Sequence, residues 1–474
     1  MLSEDVKKFV VDYILEKHET FHDVSLKIWN CPELGMEEFE AVKLLTTLLK
    51  NNEFTVESNV AGMPTAFVAT YGSGKPVIAF SSEYDALPGV SQKVDYKKSP
   101  VFEGAPGHGC GHNLIAVGGI MAAVALKEAM KKYKLNGTIK VYGTPGEELC
   151  VGKPVMGNAG IFADADIILD WHPLNNNSAN YVCSPAYFNI KYHFKGRTCH
   201  GNSPWHGRSA FDAAILQGHA VEMLREHIKP GTSESAAKTI NYTFSDVGPE
   251  YPCVVPDRTT AWYLGRFPTN EEALDVMRRI DKCAEGAAMA TETTVEKEII
   301  TINREMLPNV TVAKVLYDNL IELGEPIFSE EEKEFIKNLQ SEVGEGYPTV
   351  EGIQPFGEED IPVTDTVEYS WNAPYGILRL VLWPAPAFHN WMITACAGNS
   401  HGKKVLDKAA QILAASAVDF ITNPSLISKA KEEFKEKMKG KEYKSLLPEG
   451  TPVPVNINHE IMKKYRGLYK TNGN

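Results

Sequence analysis

The segment Gly107-His-Gly-Cys-Gly-His-Asn113 places a thiol and an imidazole two residues apart in a glycine-rich stretch. Glycines permit a tight turn, so Cys110 and His112 can point at one spot. Thiolate and imidazole are good ligands for a borderline metal such as zinc. A turn around a buried thiol would use the same residues, so spacing alone leaves both readings open. Gly146-Glu-Glu-Leu149 adds two adjacent carboxylates after an apolar run. They repel each other unless a cation intervenes. One could bind a metal while the other takes a proton from a water whose pKa the metal has lowered. A solvated helix N-terminus is the alternative there. Three more segments carry acids or imidazoles: Ser81-Ser-Glu-Tyr-Asp85, Asp170-Trp-His172 and Phe388-His389-Asn-Trp391.

The elements that must position these residues are legible as apolar runs. Helical spacing fills the first 55 residues, broken once at Pro32. Strand-like runs follow at Thr65–Thr70, Pro76–Ser81, Thr138–Thr144 and Asp166–Trp171, with a long helix from Asn113 to Lys132. Strands alternating with helices imply a mostly parallel, doubly wound α/β sheet covered on both faces. All five chemistry-bearing segments then leave strand ends toward one edge of that sheet. The texture changes at Tyr187–Phe194, where apolar and polar residues alternate. A helix at Ser209–Arg225, strands at Lys238–Phe244 and Thr259–Phe267, a helix at Asn270–Ala288 and a strand at Thr293–Thr301 complete an open α+β unit. The expected organisation is a catalytic domain (1–186 and 303–474) interrupted by an inserted, ferredoxin-like domain (187–302). A strand at Tyr375–Trp383 and a helix at His401–Ile421 return to the first domain. The tail is expected as a charged, solvated helix over Lys429–Lys444 followed by Pro-rich coil.

The bulk numbers set limits. At 474 residues two domains are expected, and 43% hydrophobic with 23% charged residues is ordinary for a globular protein. The net charge of −13, with no basic stripe, argues against a nucleic-acid partner. The N-terminus has neither the apolar core nor the cleavage site of a signal peptide, and no apolar run suggests a membrane partner. Eight scattered cysteines without a CxxC pair read as reduced thiols, so a cytoplasmic location is expected.

Taken together, the motifs resemble the amidohydrolase family of aminoacylase, carboxypeptidase G, the auxin-conjugate hydrolases and the aminobenzoyl-glutamate hydrolases. Within the last group, the branch formed by the B subunits is the most similar. The resemblance runs over nearly the whole chain: Pro32-Glu-Leu-Gly-Met-Glu-Glu-Phe39, Ala61-Gly-Met-Pro-Thr65, Glu83-Tyr-Asp-Ala-Leu-Pro-Gly89, Gly107 to Leu114, Glu147-Glu148, His172, Lys195-Gly-Arg-Thr-Cys-His200 with Pro204-Trp205, and Thr364 to Trp371. It implies a site for two divalent metal ions, Mn2+ or Zn2+. Cys110 is the implied bridging thiolate, with His112, Glu148, His172 and His389 as the other ligands. Glu147 is the implied general base and Asp85 the acid that orients a neighbouring ligand. The inserted domain is implied to be a lid that forms a homodimer, from which His200 reaches the site of the neighbouring copy. Arg266 is placed as a substrate-carboxylate clamp, and Cys253 stands where a substrate-touching Asn is expected. Asn113 (for Asp) and Cys150 (for a small residue) also depart from the pattern.

The reaction implied is hydrolysis of an N-acyl amino acid such as aminobenzoyl-glutamate by a metal-bridging hydroxide. A dipeptidase, or a catalytically silent metal-binding protein of the same fold, are the alternatives. His108, His206 and His401 are expected as surface or supporting groups. His401 competes with His389 for the last ligand place, which His389 takes because it follows a strand. Ser203 and Ser209 lack a Gly-x-Ser-x-Gly elbow, which argues against a serine hydrolase.

Overall fold

The computed structural model describes residues 2–231, 238–343, 352–384 and 389–471. The chain opens with α1 (Leu2–Asn30), α2 (Phe39–Asn51), β1 (Thr55–Ser58), β2 (Phe67–Ser73) and β3 (Val77–Glu83). It continues through α3 (His112–Tyr133), β4 (Gly137–Thr144), α4 (Gly152–Asn158), β5 (Ile167–Leu174) and β6 (Tyr181–Cys183). Next come β7 (Ala186–Lys195), α5 (Ala210–Arg225), β8 (Thr239–Gly248), β9 (Arg258–Phe267), α6 (Asn270–Thr291) and β10 (Thr294–Asn303). The last stretch holds α7 (Val310–Leu323), α8 (Glu330–Val343), β11 (Glu358–Asp360), α9 (Val367–Asn372), β12 (Tyr375–Val381), α10 (Trp391–Ala397), α11 (Ser400–Thr422), α12 (Pro424–Met438) and α13 (His459–Thr471).

One six-stranded sheet has the order β1-β2-β4-β3-β5-β12. Its strands β4, β3, β5 and β12 are mutually parallel, while β2 and β1 add an antiparallel edge. Every residue of β3 and β12 is buried, as expected for strands with helices on both faces. The apolar helix α3 packs between this sheet on one side and α1 and α11 on the other. It is long and apolar enough to cross a membrane, but its apolar stretch is 94% buried, as in a core helix.

After β6 the chain builds a second sheet, β10-β7-β9-β8, antiparallel throughout. Helices α5 and α6 pack on it around a core of their own, including Phe188, Tyr192, Tyr263 and Ile280. Thr269 caps α6 through its hydroxyl, which accepts the Glu272 N–H at 3.3 Å. The chain then returns to the first sheet for β12.

Several short elements carry no periodic signal in the sequence: the polar edge strand β1, and the parallel pair β6–β11. The tail departs in part from expectation. Its charged helix lies at Pro424–Met438 and buries Ile427, Ala430 and Met438. The tail also holds α13, which buries Met462, Tyr465 and Tyr469. Tyr469 donates its hydroxyl to the Pro106 carbonyl at 2.8 Å, directly before the Gly107 motif. The charged helix and the coil after it are largely solvent-facing, as expected, whereas α13 is packed against the body of the protein.

Candidate metal centre

The parallel strands β4, β3, β5 and β12 end side by side, the edge at which open α/β sheets take ligands. Glu83 closes β3 and Asp85 follows it. Glu147 and Glu148 share a single 3-10 turn after β4. His172 lies within β5, and His389 comes after β12. Phe388 lies outside the described residues. Cys110 and His112 reach the same edge from the loop that opens α3, so four strand ends converge here rather than five. Between them Gly111 adopts φ +81°, where a Cβ would come within 2.8 Å of the Pro173 ring. Only glycine lets this loop close onto β5. Asn390 caps α10, its side chain accepting the Met392 N–H at 2.9 Å, and so fixes the residue beside His389.

The side chains form three donor triads: two share the Cys110 sulfur, and the third, Glu83, His112 and Glu147, shares His112 with the first. Cys110, His112 and His172 bring their donor atoms within 4.8 Å of one another, and so do Cys110, Glu148 and His389. Cys110 Sγ is 3.3 Å from His172 Nε2, and His389 Nε2 is 3.3 Å from Glu148 Oε2. His112 Nδ1 meets Asp85 Oδ1 at 2.9 Å. Its Nε2 faces Glu83, Glu147 and Glu148, each at 3.8 Å. His172 Nδ1 donates to the Pro173 carbonyl at 2.6 Å, which leaves Nε2 as its donor to a metal.

Burial and charge define the electrostatics. Burial and the Glu148 carboxylate push the Cys110 thiol up. Burial and His112 push His172 down to about 4, so it is neutral and ligand-competent at pH 7. Burial and Glu83 raise Glu147; burial, with Glu147 adding to it, raises Glu148 well above the usual range. Burial opposes ionisation of Glu83, yet Lys153 holds it low through a 2.8 Å contact from Nζ to Oε1. Lys153 is itself fully buried and also bonds Asp365.

This donor set fits divalent cations. Glu83, Asp85, Glu147, Glu148 and Asp365 crowd one buried region around Lys153 and His112, more carboxyl groups than those two partners can neutralise if all ionise. His112 Nε2 and Glu148 Oε1 are buried without a hydrogen-bond partner, an arrangement that a coordinated cation would relieve.

The other singled-out residues fall elsewhere. His200 is exposed, bridges Val254 and accepts the Asn202 N–H on Nδ1 at 3.1 Å. Cys253 is exposed, and its carbonyl accepts the Gly201 N–H at 2.6 Å. Arg266 donates to Asn241 Oδ1 at 3.0 Å and lies over the Tyr187 ring. None of these three joins any of the triads. The second sheet does reach the carboxylate turn, because Thr301 and Asn303 both donate to the Cys150 carbonyl, at 2.5 and 3.1 Å. Asn113 donates its amide to Ser25 Oγ and the Ala397 carbonyl, each at 3.2 Å. An aspartate could not donate to that carbonyl, which accounts for the departure at this position. His206 is exposed and accepts from Trp205, whereas His108 and His401 are buried rather than superficial. His401 Nε2 bonds the Leu382 carbonyl at 3.1 Å, so it has no part in the triads.

Sequence reasoning assigned no role to Glu83, Lys153 or Thr364. Thr364 donates to Glu147 Oε1 at 2.8 Å. Glu38 accepts the Gly146 N–H at 2.8 Å and so buttresses the carboxylate turn from the N-terminal motif. The signal for Glu83 was its place between a buried strand and Asp85; a lone lysine such as Lys153 gives none.

The sequence profile of Peptidase family M20/M25/M40 matches residues 79–473. The chain belongs to that family. Like its M20 relatives it is a metal-dependent hydrolase of amides or peptides. The B subunit of the p-aminobenzoyl-glutamate hydrolase of Escherichia coli (strain K12) is 32% identical over 485 residues, covering 95% of this chain and 100% of its own length. A Xaa-Arg dipeptidase of Mus musculus is 28% identical over 450 residues, covering 92% of this chain and 93% of its own. A Bacillus subtilis crystal structure described as a dinuclear metal binding peptidase from the M20 family superposes with a TM-score of 0.56. It covers 85% of this chain and 98% of that one at 16% identity, a likeness of fold.

Proposed function

We propose that this M20 enzyme hydrolyses the amide of an N-acyl amino acid, of which p-aminobenzoyl-glutamate is the leading example, with two divalent cations. The observation that carries the reading is the sulfur of Cys110, common to two donor triads. Cys110, His112 and His172 would hold one cation; Cys110, Glu148 and His389 would hold the other. Thiolate and imidazole favour Zn2+, while the carboxylates leave Mn2+ open. Bound there, the cations would lower the pKa of an attacking water and polarise the amide carbonyl.

The remaining work belongs to the chain. Thr364 holds Glu147 Oε1, so Oε2 is free to take the water's proton and pass it to the leaving amine. Asp85 orients His112. Residues 187–302 act as a lid and dimerisation domain, whose His200 steadies the oxyanion in the site of a second copy. Exposed Trp205 and Tyr251 near that loop support an interface there. Arg266 clamps the substrate carboxylate, and Cys253, beside the His200 loop, touches the substrate in the site that His200 reaches.

A dipeptidase is the second reading, favoured by the similarity to the Xaa-Arg enzyme. The test is a panel of p-aminobenzoyl-glutamate, other acyl-amino acids and dipeptides with basic C-termini, each with and without chelator. Highest kcat/KM on an acyl-amino acid, abolished by chelator, is the expected result. Preference for a dipeptide would transfer the assignment, and chelator-insensitive hydrolysis would overturn it.

A further inference from the structure

A second group of metal-competent side chains lies away from the strand ends. His18 and His22 stand four residues apart on α1, which puts both imidazoles on one face. Asp407 of α11 faces them. Its Oδ2 is 2.9 Å from His18 Nδ1, and its Oδ1 is 2.7 Å from His22 Nε2. One ligand atom from each of the three lies within 4.8 Å of the others. His22 is only 4% exposed, and its Nδ1 is buried without a hydrogen-bond partner. The rings sit close, with centroids 4.7 Å apart.

We propose that His18, His22 and Asp407 bind one divalent transition-metal ion of the zinc, cobalt or nickel class, clamping α1 to α11. The outer nitrogens argue for this over a hydrogen-bonded cluster of neutral rings. His18 Nε2 is 3.7 Å and His22 Nδ1 3.9 Å from Glu19 Oε1. If both neutral rings donate inward to Asp407, their outer nitrogens present lone pairs to a carboxylate, an unfavourable pairing that either a metal or protonation of the rings relieves. With a metal held by the inner nitrogens, the outer N–H groups point at Glu19 instead, the arrangement in which a ligating histidine donates its second nitrogen to a carboxylate. Two imidazoles and one carboxylate suit the first-row transition ions better than calcium or magnesium. Zinc ligands at about 2.0–2.2 Å stand roughly 3.4 Å apart in a tetrahedron, so Asp407 would retreat by roughly half an ångström. The side chains of His18 and Asp407 are 30% and 13% exposed, which gives a water access to the fourth position.

The site is independent of the catalytic reading, and metal stoichiometry tests it. Purified full-length enzyme is stripped with chelator, reloaded with Zn2+, desalted and analysed for zinc per chain. His18→Gln/His22→Gln should lose one equivalent relative to wild type while retaining amide hydrolysis. Cys110→Ser/His112→Gln/His172→Gln, with the catalytic donors disabled, should still hold one equivalent, which Asp407→Asn added to it removes. Equal zinc content in wild type and the His18/His22 variant would overturn the proposal. So would a catalytic-donor variant that binds no zinc, a result that stands even if the first variant fails to fold.

Discussion

His112 Nδ1 lies 2.9 Å from Asp85 Oδ1, and the other oxygen of that carboxylate accepts the Glu148 N–H at 2.9 Å. One aspartate therefore sets both the tautomer of an imidazole and the position of the carboxylate turn. With Nδ1 bonded to Asp85, Nε2 is the His112 atom that a cation would take, facing Glu83, Glu147 and Glu148. Burial opposes ionisation of Asp85, but the His112 hydrogen bond holds it below the usual range. Asp85→Ala should weaken metal affinity by about 10–100-fold, the usual cost of losing the partner of a ligating histidine. Competition with a chromogenic chelator measures it.

Glu147 and Glu148 are adjacent yet differently placed. Glu148 stands with Cys110 and His389, whereas Glu147 stands with Glu83 and His112 and is held by Thr364. Glu147→Ala should lower kcat by about 10²–10⁴-fold with metal content unchanged. Paired kinetics and elemental analysis check this. Loss of metal in that variant would mean that the two glutamates exchange roles.

Lys153 bridges Glu83 and Asp365 in a fully buried network. Removing a buried cation leaves its partners uncompensated, at about 3–5 kcal/mol. Lys153→Met should therefore shift the urea midpoint of the metal-free protein sharply downward. A variant as stable as wild type would mean that those carboxyl groups are already neutral.

His401 gives a pH signature free of the metal centre. Burial pushes it down to about 4 from an ordinary 6.5. Its folded pKa is depressed, so the unfolded chain binds more protons between those values. The stability that this group contributes is full above pH 6.5 and is lost as pH falls toward 4, by up to roughly 3 kcal/mol. His401→Gln can still donate to Leu382 and should remove that slope. Between pH 7 and pH 4.5 the urea midpoint of the metal-free wild type should fall further than that of the variant.

Much of this was legible in the residues. The buried strands β3, β4, β5 and β12 stand out as continuous apolar runs, and the motifs at their ends mark the edge where Cys110, Glu148, His172 and His389 gather. The βαββαβ order of the second sheet follows from the switch to alternation at Tyr187. Illegible were the contacts that depend on tertiary packing. Lys153 looks like a surface lysine until α4 carries it into the core. The role of Asn113 emerges only where α1, α3 and α10 meet. His18 and His22 are ordinary helix residues until α11 presents Asp407. The tail reads as solvated because its charged residues conceal the buried stripe of Met462, Tyr465 and Tyr469.

The most direct measurement is anomalous diffraction from crystals of the enzyme loaded with Zn2+ or Mn2+. The expected map has two peaks about 3.5–4 Å apart, both within bonding distance of Cys110 Sγ. His112 and His172 should flank one peak, and Glu148 and His389 the other. A single peak, or two peaks neither of which touches that sulfur, would contradict the dinuclear centre.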